Sequence, residues 1–162
     1  MSVNKYKPHV FVIPEDDADR QIADGFVLHA QVDTRQVQVV EPAGGWVKVL
    51  ETFQEEYLRL LRQNQNAHVV MLIDFDEQLD RRTYFNSAIP DEIRNRVFIV
   101  GTQSNPEVLK QTSSIHSFEG IGRALADDCD KNEPGLWNNI QLIHNADERL
   151  RLVDVVKPFL FI

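Results

Sequence analysis

Two apolar runs in this chain break directly into acids. Val10-Phe11-Val12-Ile13 leads into Pro14-Glu15-Asp16-Asp17, and Val69-Val70-Met71-Leu72-Ile73 leads into Asp74-Phe75-Asp76. Carboxylates gathered in one small volume repel one another unless a cation neutralises them, and hard oxygen ligands suit Mg²⁺ or Mn²⁺. Such a group can support phosphoryl transfer, because the cation stabilises charge on the attacking and leaving oxygens. Glu15, Asp74 and Asp76 are therefore the candidate metal ligands and catalytic residues. A plainer reading assigns the same acids to helix N-caps and solvated loops, which α/β proteins place at the same positions.

Positioning these acids requires two neighbouring strands. A short continuous apolar run is the signature of a parallel strand buried on both faces. In an open α/β sheet the ligand crevice lies beyond the carboxyl ends of such strands, at the point where the strand order reverses. Strands are expected near residues 9–14 and 68–73, side by side. Val37-Gln38-Val39-Val40 alternates more, which places it nearer an edge, and Val97-Phe98-Ile99-Val100 supplies a fourth strand closed by Gly101. The strand near 37–40 flanks one of the central pair and the strand near 97–100 flanks the other.

Helices fill the intervals. One is expected from Asp17 to about Ala30, with Ile22, Phe26 and His29 on a shared face. The turn Pro42-Ala43-Gly44-Gly45 opens the longest, Trp46 to Asn64, whose buried stripe is Trp46, Leu50, Phe53, Tyr57 and Leu61. A short polar helix or loop runs through Arg81-Arg82-Thr83-Tyr84-Phe85. Ser104-Asn105-Pro106-Glu107 fits a capping box with Ser104 as the cap. Ser117 caps a helix with the stripe Phe118, Ile121, Leu125 and Cys129, inside which Gly120 and Gly122 permit close helix packing. A last helix starts at Asn145-Ala146-Asp147-Glu148. The end, Phe159-Leu160-Phe161-Ile162, is too apolar for a free tail and must pack on the body, pair as a strand or meet another chain, as in a homo-oligomer. Alternating strands and helices give a single α/β domain over 1–162. It has a mainly parallel four-stranded, Rossmann-like core over 1–112 and a helical extension over 113–162 packed on it.

This order of parts resembles the Toprim domain of type IA and type II topoisomerases, bacterial primases and small nucleases, including the overcoming-lysogenization-defect nucleases. That family carries a Glu at the end of its first strand and Asp-x-Asp after its third, which Glu15 and Asp74-Phe75-Asp76 match over about residues 9–112. The resemblance implies that the Asp pair binds divalent metal and that the Glu assists proton transfer or metal binding in phosphodiester chemistry. It also implies nucleic acid as substrate, with an ATPase as partner. Asp16 stands where the family usually has Gly, and Gln78 where many members carry a third acid, with Glu77 and Asp80 nearby. A second resemblance is to response-regulator receivers, with Asp16-Asp17 as the acid pair, Asp74 as phosphoacceptor and Thr102 after the fourth strand. The Lys that a receiver carries after a fifth strand has no counterpart, since Lys110 falls within a helix. A non-catalytic interaction module on the same fold is the remaining alternative.

Composition narrows the partners. The 162 residues carry 25 acids against 17 Lys and Arg, a net charge of −8. Affinity for nucleic acid comes largely from neutralising phosphates, so such a chain must borrow it from a partner or another subunit. The local pairs Arg81-Arg82, Arg94 with Arg96, and Arg149 with Arg151 are expected on solvated helix surfaces. The lone Cys129 has no partner for an intrachain disulfide, which points to a buried thiol in a reducing, cytoplasmic setting. No apolar stretch approaches membrane-spanning length. The sequence holds no Gly-x-Ser-x-Gly elbow, Walker loop or dinucleotide fingerprint, and its five histidines lack metal-ligand spacing. His9 and His68 fall at the amino ends of their strands, the wrong edge for catalysis. Trp46 and Trp137 read as core or interface aromatics.

Overall fold

The computed structural model describes residues 3–162 and shows four parallel strands flanked by helices on both faces. Strand β1 (His9–Pro14) pairs with β2 (Val37–Val39) on one side and β3 (Ala67–Leu72) on the other. Strand β4 (Val97–Val100) lies outside β3, so the order is β2-β1-β3-β4. The alternating run Val37–Val39 is an edge strand, as its pattern predicts. The chain builds outward in opposite directions from β1 and β3, and these two strands meet at the topological switch point.

Alternation along each strand divides the core in two. Phe11, Ile13, Val69, Met71, Val97 and Ile99 face helix α2 (Trp46–Thr52), a π-helical turn (Phe53–Tyr57), α3 (Leu58–Gln63) and α4 (Arg81–Ser87). Phe53 and Leu61, on either side of Tyr57, are fully buried, and Tyr57 packs against the same core. Val10, Val12, Val70, Leu72, Phe98 and Val100 face the opposite layer. This layer contains α1 (Asp17–Val27), α6 (Phe118–Lys131), α7 (Ala146–Val155) and the single turn α8 (Lys157–Leu160), with α5 (Pro106–Ser113) leading into it.

Helices α1 and α6 pack backbone to backbone. A Cβ on Gly122 would sit 1.9 Å from the Ile22 carbonyl oxygen, and one on Gly25 would sit 2.0 Å from that of Glu119. Only glycine fits at either crossing. Helix α1 ends at Val27 rather than Ala30. His29 therefore lies beyond it, with its Nε2 3.4 Å from Asp127. The α5 cap is Asn105, whose Oδ1 accepts from the Val108 amide at 3.1 Å, and Pro106 takes the first helical position. Ser104 instead bonds Glu77. The apolar C-terminus lies on its own chain. Phe161 forms an antiparallel bridge with Val32 and stacks edge-on against Phe26, while Ile162 is exposed.

The outer edge of β4 is closed by side chains where a larger sheet would add a fifth strand. The Ile99 amide donates to Glu148 Oε2 at 2.8 Å, and Arg82 donates to the Ile99 carbonyl at 2.5 Å. Asn145 satisfies both the amide and the carbonyl of Gly101, and Arg151 donates to the carbonyls of Arg94 and Val97. Arg96 likewise caps the carbonyls of Leu61, Asn64 and Ala67 at 2.8–3.0 Å. Arg94 donates to those of Asn86 and Ile89. The expectation that these arginines decorate solvated helix surfaces is therefore corrected: Arg82, Arg94, Arg96 and Arg151 each donate to backbone oxygens. Buried carbonyls need donors, and the guanidinium fork reaches several at once. Among the described residues, no helix is long and apolar enough to cross a membrane.

Candidate functional site

Glu15 follows directly on β1, and its backbone continues the sheet ladder, the amide donating to the Leu72 carbonyl at 2.9 Å. Its own carbonyl accepts from the amides of Gly44 (2.9 Å) and Gly45 (3.3 Å). That docking requires φ of +93° and +144°, backbone that glycine adopts freely. The glycine turn thus clamps the strand end from which Glu15 projects. The Glu15 carboxylate crosses to β3 and accepts from the Asp74 amide at 2.9 Å, which fixes the two acids side by side.

Three carboxylates converge here. One oxygen from each of Glu15, Asp16 and Asp74 lies within 4.8 Å of the others, a spacing that a single cation can bridge. Asp16 also caps α1, its Oδ1 accepting from the Asp19 amide at 3.0 Å, so the capping role and the cluster coexist in one side chain. Thr102, beyond β4, donates its hydroxyl to Asp74 Oδ1 at 3.4 Å. His9 and His68 lie at the opposite, amino edge of the sheet.

A fourth acid, Asp19, sits in the first turn of α1, three residues after the Asp16 cap, and is 1% exposed. Its Oδ2 meets no donor. Burial holds its carboxyl well above the ordinary range, reinforced by the charges of Asp74 and Asp16. Burial likewise pushes Asp74 up to about 8; the charges of Asp16 and Glu15 add to this, and a hydrogen bond from Asp19 opposes it. Glu15 is raised chiefly by burial, partly offset by the Asp74 amide. Without a cation, the cluster keeps protons at neutral pH that ordinary carboxyls would have lost. The all-oxygen donor set, raised carboxyls and an orphaned buried oxygen fit a hard divalent ion.

Asp76 is held differently. Asp76 and Glu77 adopt left-handed backbone, with φ of 49° and 64°. Their amides donate to Ser104 and Gln103, tying the loop after β3 to the loop after β4. The Asp76 carboxylate pairs with Arg81 at 2.9 Å and is not among the three converging oxygens, although its charge reaches Glu15. Arg81 also donates to the Asp74 carbonyl at 2.9 Å and lies over the Trp46 ring at 4.5 Å. The structure therefore brings Glu15 and Asp74 together, adds Asp16 and Asp19, and places Asp76 on the rim with Arg81. Sequence reasoning missed Asp19 and Arg81. Nothing local in the sequence marks either residue, because the entry angle of α1 sets the place of Asp19 and the loop after β3 that of Arg81.

No protein-family model, curated protein or solved structure matches the chain, and the chemistry of the site rests on its own geometry.

Proposed function

We propose that this chain is a Toprim-like, Mg²⁺- or Mn²⁺-dependent phosphodiesterase subunit that acts on nucleic acid together with a partner. The observation that carries the reading is the convergence of Glu15, Asp16 and Asp74 from the carboxyl ends of two adjacent parallel strands. In this reading these three carboxylates hold the cation, which when bound neutralises their repulsion and polarises a phosphoryl oxygen. Glu15, held by the Asp74 amide, is placed to take a proton from an attacking water. Asp19, buried beside Asp74, would share a proton with it, and a bound cation would supply the charge that lets both carboxyls ionise. Arg81, fixed by Asp76 and Trp46, adds positive charge at the rim for a phosphate. The charge of −8 leaves most phosphate affinity to the partner, for which an ATPase is our proposal from the family resemblance.

Nicking of supercoiled DNA, or cleavage of single-stranded RNA, with millimolar Mn²⁺ tests the reading. Weak activity is expected, lost in Glu15→Gln and Asp74→Asn. Equal activity in wild type and both variants would remove it.

The Thr102–Asp74 hydrogen bond favours a second reading, a receiver-like domain with Asp74 as phosphoacceptor. Asp74 is only 5% exposed and the sheet ends at β4, with no fifth strand among the described residues. Intact mass after incubation with acetyl phosphate separates the two: an adduct on Asp74 supports the receiver, and none is expected.

A further inference from the structure

The two layers of the core are not packed alike. Beneath the helical run of residues 46–63 and α4, Ile13, Val69 and Met71 are sealed from solvent. On the opposite face Val12, Val70 and Leu72, equally central in the sheet, are only half-buried although α1, α6 and α7 lie over them. A cavity of about 140 Å³ accounts for the difference, walled by those three residues with Phe26, Leu125 and Trp137 among others. Native cores hold few voids larger than a water molecule.

Independent anchors keep this space from collapsing. Helices α1 and α6 already meet backbone to backbone at Gly25 and Gly122, so neither can draw closer to the other. Helix α7 is tied to the edge of β4 through Glu148 and Arg151, with Asn145 at its start doing the same for Gly101. The turn α8 and Phe161 belong to the wall, and they are fixed by the Asp33 amide donating to the Leu160 carbonyl at 2.7 Å and by the Val32–Phe161 bridge. A void whose walls cannot relax keeps its cost until something fills it.

The wall chemistry selects the occupant. The polar residues on the border, Asp19, Thr102, Arg149 and Lys157, turn almost no nitrogen or oxygen toward the void. Asp19 and Thr102 direct their polar groups to Asp74, so the cavity backs onto the acidic cluster without sharing its chemistry. A charged or hydrogen-bonding guest would lose its hydration there and gain no partner. An apolar cavity of about 150 Å³ stays dry and takes up benzene.

We propose that this cavity is a binding site for a compact, neutral, apolar molecule about the size of one aromatic ring, held by burial and close packing against Val12, Val70, Leu72 and Trp137.

The test uses the whole chain in chelator, so that a cation at the acidic cluster plays no part. Toluene and benzoate are the probes, and the readouts are melting temperature and the two indole N–H resonances. The Trp137 indole, which donates to the Leu125 carbonyl at 3.3 Å, reports on the wall, whereas Trp46 packs in the other layer of the core. At about ten times its dissociation constant, toluene should raise the melting temperature by about 3–5 °C and shift the Trp137 signal but not that of Trp46. Benzoate, the same ring carrying a charge, should do neither at that concentration. Leu125→Phe, or Val153→Phe if the former folds poorly, should fill the void and abolish the toluene response. No toluene effect at Trp137, a benzoate response as large as that of toluene, or a toluene response that survives the filling substitution would overturn the assignment.

Discussion

Asp74 concentrates the chemistry of the site in one side chain. Its carboxyl is held near pH 8, so between the ordinary carboxyl range near pH 4 and pH 8 the folded protein binds a proton that the unfolded chain has lost. Native excess protonation means that stability falls as pH rises through this window, by at most about 1.4 kcal/mol per pH unit for each such group. Urea denaturation in chelator from pH 5 to 9 should show that decline. Asp74→Asn should make it shallower, with Asp19 carrying the remainder, and stabilise the metal-free protein by about 1–3 kcal/mol at pH 8, since it removes a buried charge. A profile equally steep in the variant would mean that another group carries the effect. Asp74 and Glu15 were legible in the sequence because each directly follows an apolar run. The proximity of Asp19 to Asp74 was not, because the entry angle of α1 sets it.

At the level of elements, side chains take over a task usually performed by backbone. Glu148, Asn145, Arg82 and Arg151 complete the edge of β4. Asn145→Ala leaves the amide and carbonyl of Gly101 unpaired in a buried position, which should cost about 2–4 kcal/mol in chemical denaturation. A cost below about 0.5 kcal/mol would show that water replaces the side chain. Gly122→Ala should cost about 1–3 kcal/mol, because α1 must move away from the added methyl. The role of Gly122 was readable from a glycine within an otherwise helical pattern. The edge arginines were misread because charged pairs on helices are usually solvated, and their carbonyl partners lie up to 57 residues away in sequence.

For the whole molecule, the alternation of strands and helices made the parallel sheet legible, whereas the unbroken apolar run of β4 marks burial of both faces and not a central place, since β4 lies at an edge. The third converging carboxylate was less legible: Asp76 follows the expected spacing, but left-handed backbone and Arg81 hold it at the rim while Asp16 takes the inner position. A cation that binds only the folded state should also raise the melting temperature by mass action. The most direct test is Mn²⁺ binding by electron paramagnetic resonance, titrated into the metal-free protein at pH 8. The prediction is one bound Mn²⁺ per chain, competed by Mg²⁺, lost in Asp74→Asn and weakened at least tenfold in Glu15→Gln, with Asp76→Asn affected less. Undiminished binding in Asp74→Asn, or no binding at millimolar Mn²⁺, would contradict a metal centre at this cluster.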